Sequence, residues 1–408
     1  MKQALLSLEE AQARLLALAS PLEVVHVDVE GAAGHFLAHP LLARRTQPAV
    51  DLSAMDGFAV AAANLAGPWR LVGESAAGHP YDGQVSAGEA VRVSTGAALP
   101  PGANAVIIQE DVSLVGQSLT LTGVAPQPAD KHIRRRGMDF SEGSEVLPAG
   151  ARIGPAQAAL AIAAGHRHLL VHRAPRVVVI DSGDELTPDP EGCEAHQVPA
   201  SNGAMLTALA APHSARTRRI GPVPDTLEAL ARALDDATDA DVIVTSGGAS
   251  VGDHDLIRPA LEAWGADIDF WRVAIKPGKP LLVATRMRPD KPPRRQIILG
   301  LPGNPVSSFV TAYHFLLPLL RRFTGAGEVL PMKVATLASA PMRANGPRRE
   351  FLRGYWDGRQ VMAHPLQDSG ALSSLAASNV LIDRPAHAPA LDIGDNVEVF
   401  LLQNGGTV

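Results

Sequence analysis

The chain has 408 residues, of which 46% are hydrophobic; this exceeds one ordinary core and the disordered range, so roughly two to four domains are expected. A net charge of -6 without a long basic run, and an aromatic content of 4%, exclude a nucleic-acid-coating role. A single cysteine, Cys193, excludes a disulfide framework and a cysteine-cluster metal site.

Ser7 and Glu10 form a capping box for an amphipathic helix over 7–20. Glu9 and Glu10 interrupt the opening apolar run, so no signal peptide is expected, and no stretch approaches the ~20 apolar residues of a membrane span. With the lone cysteine, a cytoplasmic protein is expected. Residues 54–139 alternate short apolar runs with Gly/Pro turns, as at 90–93 and 105–108, the pattern of a small β-rich domain. A helix is predicted from Pro155 to Ala164, ending at Gly165.

From Pro175 strands alternate with helices. Strands are predicted at 176–180, 216–220, 241–244, 268–275, 281–285 and 296–300. Helices are predicted at 203–211, from a cap at Asp225 and Glu228 to Leu234, from Asp255 to Trp264, and from Pro305 to Phe323. This texture specifies a doubly wound, mainly parallel sheet. Residues from about 330 revert to short strands and turns, a second small β domain.

Four constellations suggest chemistry. The loop Thr245-Ser246-Gly247-Gly248-Ala249-Ser250-Val251-Gly252-Asp253-His254-Asp255 follows a buried strand; its glycines suit close approach to a phosphate, and its acids suit an intervening divalent cation. Asp181-Ser182-Gly183-Asp184-Glu185 follows another strand and would open on the same sheet edge, with a solvated turn as the alternative. Lys276-Pro277-Gly278-Lys279-Pro280 places two ammonium groups on a stiff frame for an anionic ligand, or is simply a turn between strands. In Leu301-Pro302-Gly303-Asn304-Pro305, Asn304 suits an N-cap and Pro305 the first helical position. The N-terminal pieces around Asp56, Thr95, Arg134 and Asp139 read equally well as turns and a solvated basic face. No Gly-x-x-x-x-Gly-Lys-Ser/Thr is present, which argues against a Walker-type ATPase.

Taken in order, Ser53-Ala54-Met55-Asp56-Gly57-Phe58-Ala59, Thr95-Gly96-Ala97, Pro101-Gly102-Ala103, Arg134-Arg135-Arg136-Gly137, Ser182-Gly183-Asp184-Glu185-Leu186, Thr245-Ser246-Gly247-Gly248, the 276–280 turn and the 301–305 turn resemble the molybdopterin molybdenumtransferase family, which includes the enzymatic end of gephyrin. The resemblance spans nearly the whole chain. It implies a discontinuous, elongated linker and dimerisation domain from 1–53 and 140–174, the β-rich domain at 54–139, a molybdopterin-binding α/β domain at 175–326 and a C-terminal β-barrel-like domain at 327–408. It further implies a homodimer that takes adenylylated molybdopterin and molybdate, releases AMP and uses Mg2+ or another divalent cation, with the molybdopterin adenylyltransferase as an expected partner. The alternatives are that adenylyltransferase itself, or a pterin-binding scaffold with weak or no turnover.

By the same resemblance Asp56, Thr95, Asp139, Glu185 and Asp255 would be catalytic, with Glu185 and Asp255 holding the metal. Substrate would meet Arg134, Ser182, Gly183, Asp184, Ser246, Gly247, Gly248, Ser250, Gly252, Lys276, Lys279, Pro302, Gly303, Asn304 and Pro305, with Arg349 and Ser369 reaching in across the dimer. Three positions depart from the family pattern: Ala200 stands where an acid is usual, Asn104 likewise, and Arg272 replaces a common Lys. Asp181, where a small hydroxyl residue is usual, lies near the first of these and is expected to compensate for it.

Overall fold

The computed structural model describes residues 5–247, 256–288 and 293–402. At its centre is a six-stranded sheet. Numbering its strands alone, they are β1 (Arg176–Ser182), β2 (Arg216–Val223), β3 (Val242–Ser246), β4 (Asp267–Arg272), β5 (Pro280–Arg288) and β6 (Arg294–Leu301). The spatial order is β2-β1-β3-β6-β5-β4. Pairings from β2 through β6 are parallel and the last two are antiparallel, so the sheet is mainly parallel as expected. The chain runs from β1 outward to β2 and then returns to β3 on the other side, which makes the carboxyl ends of β1 and β3 a topological switch point.

Both faces are covered because alternate residues of each strand point opposite ways. Val177, Val179, Val242, Val244, Ile297 and Leu299 face helices α1 (Leu8–Ala17) and α3 (Ser201–Ala210) and the long helix from Pro305 to Phe323. Val178, Ile180, Ile243 and Ile298 face α4 (Leu227–Asp236) and α5 (Ile257–Ala263). Between them in sequence, α2 (Pro155–Ala163) ends at Gly165, whose φ of +95° only glycine adopts readily.

Several elements differ from expectation for identifiable reasons. Helix α1 carries Ser7 as its cap, but it packs on the long helix of the central domain, where Gln12 donates to the His314 carbonyl, and Leu6 bridges to Val273, instead of standing with the linker strands. The cap of α4 is Thr226, whose hydroxyl accepts from the Ala229 N–H, because the Asp225 backbone is held by the Asp184 carboxylate. The strand expected over 268–275 splits: Ile275–Lys276 leaves the central sheet and pairs in parallel with Arg349–Glu350 of the C-terminal sheet. The helix from Pro305 carries a π turn at Ala312–Leu316, immediately before Pro318, which has no N–H to continue the regular ladder.

Residues 24–28 pair with 168–172 and 41–42 with 145–147, so the segments flanking the N-terminal β domain form one body. That body is clamped to the central sheet where Arg173 donates from both terminal nitrogens to Asp241, at 2.9 and 3.1 Å. The N-terminal sheet places Gly57–Val60 between Ala105–Ile108 and Glu89–Val93 over a core of Phe58, Trp69, Ile107 and Leu119. The C-terminal sheet packs on the long helix through His314, Phe351 and Phe400.

Candidate active site

Register decides where the loops emerge. Asp181 of β1 is opposite Ser246 of β3, and Ser246 is opposite Leu301 of β6. Three strands therefore reach one rung; beyond it Gly247 and Pro302 leave the sheet, while β1 runs one residue further, Ser182 pairing with Val223 of β2. Beyond that rung lies a cavity of about 610 Å3 lined by Asp181, Glu185, Ala200, Ser201, Asn202, Gly247 and the turn Pro302–Pro305, with Gly370 and Leu372 from the C-terminal domain. A second cavity of about 880 Å3 shares Pro280, Pro302 and Asn304 with it. The second is basic: Lys276, Lys279, Arg343, Arg348, Arg353 and Arg384 line it against Glu350 and Asp368.

Of the residues expected at the site, Glu185, Gly247, Pro302, Gly303, Asn304 and Pro305 line the first cavity. Lys276, Lys279, Pro302, Asn304 and Ser369 line the second. The departure of Ile275–Lys276 from the central sheet is what carries the lysine turn to this boundary. Lys276 pairs with Glu350 at 2.9 Å, whereas Lys279 has no carboxylate partner among the described residues. Gly278 permits the close approach of this turn to the long helix, since a Cβ there would fall 2.4 Å from the Thr311 hydroxyl.

Other expectations change. Gly248, Ser250, Gly252 and Asp255 lie outside the described residues. The Gly247 N–H, expected to hold a phosphate oxygen, instead donates to the Leu301 carbonyl at 3.1 Å, closing the rung. Ser246 is buried, and Ser182, Gly183 and Asp184 line neither cavity. Asp184 turns away because its carboxylate accepts from the Asp225 N–H at 3.0 Å. Asn304 stands at the N-cap position as expected, but its side chain makes no capping bond: its amide donates to the Ser369 hydroxyl at 3.2 Å, and the Val306 N–H donates to the Ser369 carbonyl at 3.0 Å. Ser369 thus reaches the site within one chain. Arg349 lines neither cavity: it is bonded to both oxygens of Asp383 and to Glu9, and its neighbour Arg348 faces the basic cavity instead.

The N-terminal motifs do come together, though in another place. Ser53 pairs with Ile133 and Leu52 with Arg134, which joins the 53–59 and 133–139 segments. The Asp56 carboxylate accepts from the Thr95 N–H at 2.6 Å and hydroxyl at 2.9 Å, and these bonds hold it below the usual carboxylate range. Arg135 is taken by Asp51 and Asp130, while Arg134 and Asp139 are exposed. Neither cavity includes any of these residues.

The charges at the rim are unevenly compensated. Asp181 is fully buried; burial pushes its carboxyl up, and Arg219 opposes that with a 2.7 Å bond to Oδ2. Asp225 is also pushed up, by burial first and then by the Asp184 and Glu185 carboxylates. Among the described residues no three acids or histidines converge to hold a metal unaided. The acids that push Asp225 up are nevertheless potential donors to a cation, and Mg2+ commonly takes only one or two carboxylates plus substrate phosphate oxygens.

Sequence comparison identifies the whole assembly. Residues 6–165 match the MoeA N-terminal region (domain I and II), 178–322 the probable molybdopterin binding domain, and 336–402 the MoeA C-terminal region (domain IV). The chain is 30% identical over 405 residues to the molybdopterin molybdenumtransferase of Haemophilus influenzae, covering 97% of this chain and 98% of that one. The chain belongs to the molybdopterin molybdenumtransferase family. A second member of that family, from Nostoc, is 32% identical over 390 residues, or 92% of this chain and 88% of its own. Two structures of the MoeA protein of Pyrococcus horikoshii superpose with TM-scores of 0.79 and 0.82 at 28% and 26% identity, covering 98% of this chain and 99% and 100% of theirs.

Arg219, Asn202, Arg343, Arg348, Arg353 and Arg384, all of which build or line the two cavities, were not among the residues expected at the site. Arg353 is buried and holds the 366–368 loop by donating to the Leu366 and Asp368 carbonyls and the Ser374 hydroxyl. Only Asn202 carried a signal, as part of the Ala200-Ser201-Asn202 departure.

Proposed function

We propose that this chain inserts molybdenum from molybdate into adenylylated molybdopterin and releases AMP. The observation that carries this reading is the rung Asp181–Ser246–Leu301, which aligns three loop exits around one cavity and sets a basic cavity beside it. A bulky anionic pterin nucleotide and a small oxyanion fit such a paired arrangement.

In this mechanism Lys279, Arg343 and Arg348 draw the anionic substrates into the basic cavity, and Lys276, already neutralised by Glu350, shapes its wall. The Pro302–Pro305 turn, tied to Ser369 through Asn304, fixes the passage between the cavities. Glu185 presents a carboxylate at the rim of the first cavity, where it can hold a cation against the phosphoanhydride. A divalent cation such as Mg2+, held by Glu185 and, outside the described residues, Asp255, would supply charge neutralisation at the pyrophosphate oxygens.

The exposed Asp56–Thr95 pair, with Asp139, fits a role completed by a second copy, the N-terminal domain of one chain facing the cavities of its partner. A cytoplasmic location is consistent with the described residues, in which no helix is long and apolar enough to cross a membrane.

The deciding assay supplies adenylylated molybdopterin and molybdate and quantifies AMP and metal-bound pterin. Molybdate-dependent AMP release is the expected result. Adenylylation of metal-free molybdopterin from ATP would establish the adenylyltransferase reading instead, and ligand-induced thermal stabilisation without product would establish a scaffold.

A further inference from the structure

Helix α3 begins at Ser201 after Ala200, a residue with no side-chain acceptor for the free N–H groups of the first turn. Helix starts rarely stand uncompensated beside a cavity, and here the compensation comes from a different strand. Asp181, at the end of β1, is fully buried with its carboxylate against the α3 start. The contact is so close that a Cβ at Gly203 would lie 1.9 Å from Asp181 Oδ2 and 2.6 Å from Arg219 Nε. The third residue of the helix must therefore be glycine for Asp181 to sit where it does.

Arg219 completes the arrangement. Its Nε donates to Asp181 Oδ2 at 2.7 Å, and its Nη2 donates to the Ala200 carbonyl at 2.6 Å. The guanidinium fork thus spans the carboxylate and the residue that precedes the helix. From the far side of that residue, Asn202 donates to the Gly303 carbonyl at 2.7 Å, and the neighbouring Asn304 donates to Ser369. Asp181, Ala200, Asn202, Gly303 and Asn304 all line the first cavity.

We infer that Asp181 and Arg219 are a positioning pair that holds the Ala200–Asn202 wall, and through Asn202 the Pro302–Asn304 turn, in the geometry that receives the pterin nucleotide. Asp181 supplies from β1 the acceptor that Ala200 does not, taking the Gly203 N–H, and Arg219 holds it there from β2. Asp181 is not itself a ligand in this arrangement: its Oδ1 is enclosed and has no hydrogen-bond partner, and its charge is already answered by Arg219. A carboxylate so placed is suited to fixing the wall and poorly suited to capturing a cation.

The substrate half of this inference rests on the proposed function, so its test has one readout that needs no turnover. Hydrogen exchange at residues 201–204 is compared among the wild type, Asp181→Ala, and Asp181→Ala combined with Ala200→Asp. Exchange should quicken ~10-fold in the single variant, as a helix start loses its acceptor, and recover in the double variant, where a local cap is restored. In the AMP-release assay the single variant should raise KM for the pterin nucleotide ~10-fold with kcat within about twofold, and Ala200→Asp should again restore it. Unchanged exchange in Asp181→Ala, or no recovery on adding Ala200→Asp, overturns the pair as a cap. Altered and recovered exchange with an unaltered KM overturns its role toward substrate. If the wild type releases no AMP, the proposed reaction fails while the exchange result still judges the cap. Should Asp181→Ala not fold, Arg219→Lys carries the same readouts at smaller size: it keeps the charge and shortens the fork, so unchanged exchange there also overturns the pair.

Discussion

The rim of the central sheet and the N-terminal β domain are equally rich in polar motifs, yet they end in different states. At the rim, parallel register brings three loops to one rung, and the C-terminal domain folds over them within the same chain, giving two adjoining cavities. In the N-terminal domain, Asp56 and Thr95 satisfy each other at the surface, and Arg135 is consumed by Asp51 and Asp130. One region is a concave site with unpaired charge; the other is an exposed, ordered patch. The contrast teaches that a site needs walls from more than one domain, which the N-terminal patch would acquire only from another surface.

The largest test of this contrast is at Glu185. Glu185→Ala should slow molybdate-dependent AMP release by on the order of 100-fold with an unchanged circular-dichroism spectrum. Full activity in that variant would remove the rim from the chemistry. Next in size is Asp56→Ala. If the patch completes a partner's cavity, AMP release should fall ~10-fold with the thermal midpoint unmoved. A lowered midpoint with normal turnover would instead make Asp56 a turn residue and leave the two regions unrelated.

A smaller effect is expected at Lys279, the cation with no carboxylate partner among the described residues. Lys279→Ala should raise KM ~5-fold and leave kcat alone, the signature of lost uniform binding. An effect on kcat of the same size would move Lys279 from capture of substrate to the reacting centre.

His314 is buried between the long helix and Phe351 and Phe400 of the C-terminal sheet, and burial pushes its pKa down to about 3. The folded protein keeps this imidazole neutral, whereas the unfolded chain takes up a proton below about 6.5. Stability should therefore decline as pH falls from about 6.5 toward 3, and chemical denaturation across that window would show it. His314→Phe should flatten the slope. An unchanged slope would mean that carboxylates such as Asp383, held low by Arg349 and Lys333 against its burial, account for all of the acid sensitivity.

Much of the architecture was legible because it rests on local rules. Period and turn chemistry located all six central strands, and Pro305 with its preceding Asn marked the long helix. The glycines and acids after β1 and β3 announced a switch-point site. Local rules failed where a side chain had two possible partners. Asn304 reads as a cap but reaches Ser369, Asp225 reads as a cap but yields to Thr226, and Arg349 reads as a substrate group but locks onto Asp383. In each case the competing partner lies on another element, and sequence spacing carries no record of it.

By itself, then, the sequence determined the order of the elements, the family and the strand ends that carry loops, because hydrophobic period and glycine placement act over a few residues. Only the tertiary structure decided which charges remain free. Arg219 answers Asp181 across two strands and Glu350 answers Lys276 across two domains, and such pairings follow from register and domain packing, through distances the linear chain does not contain.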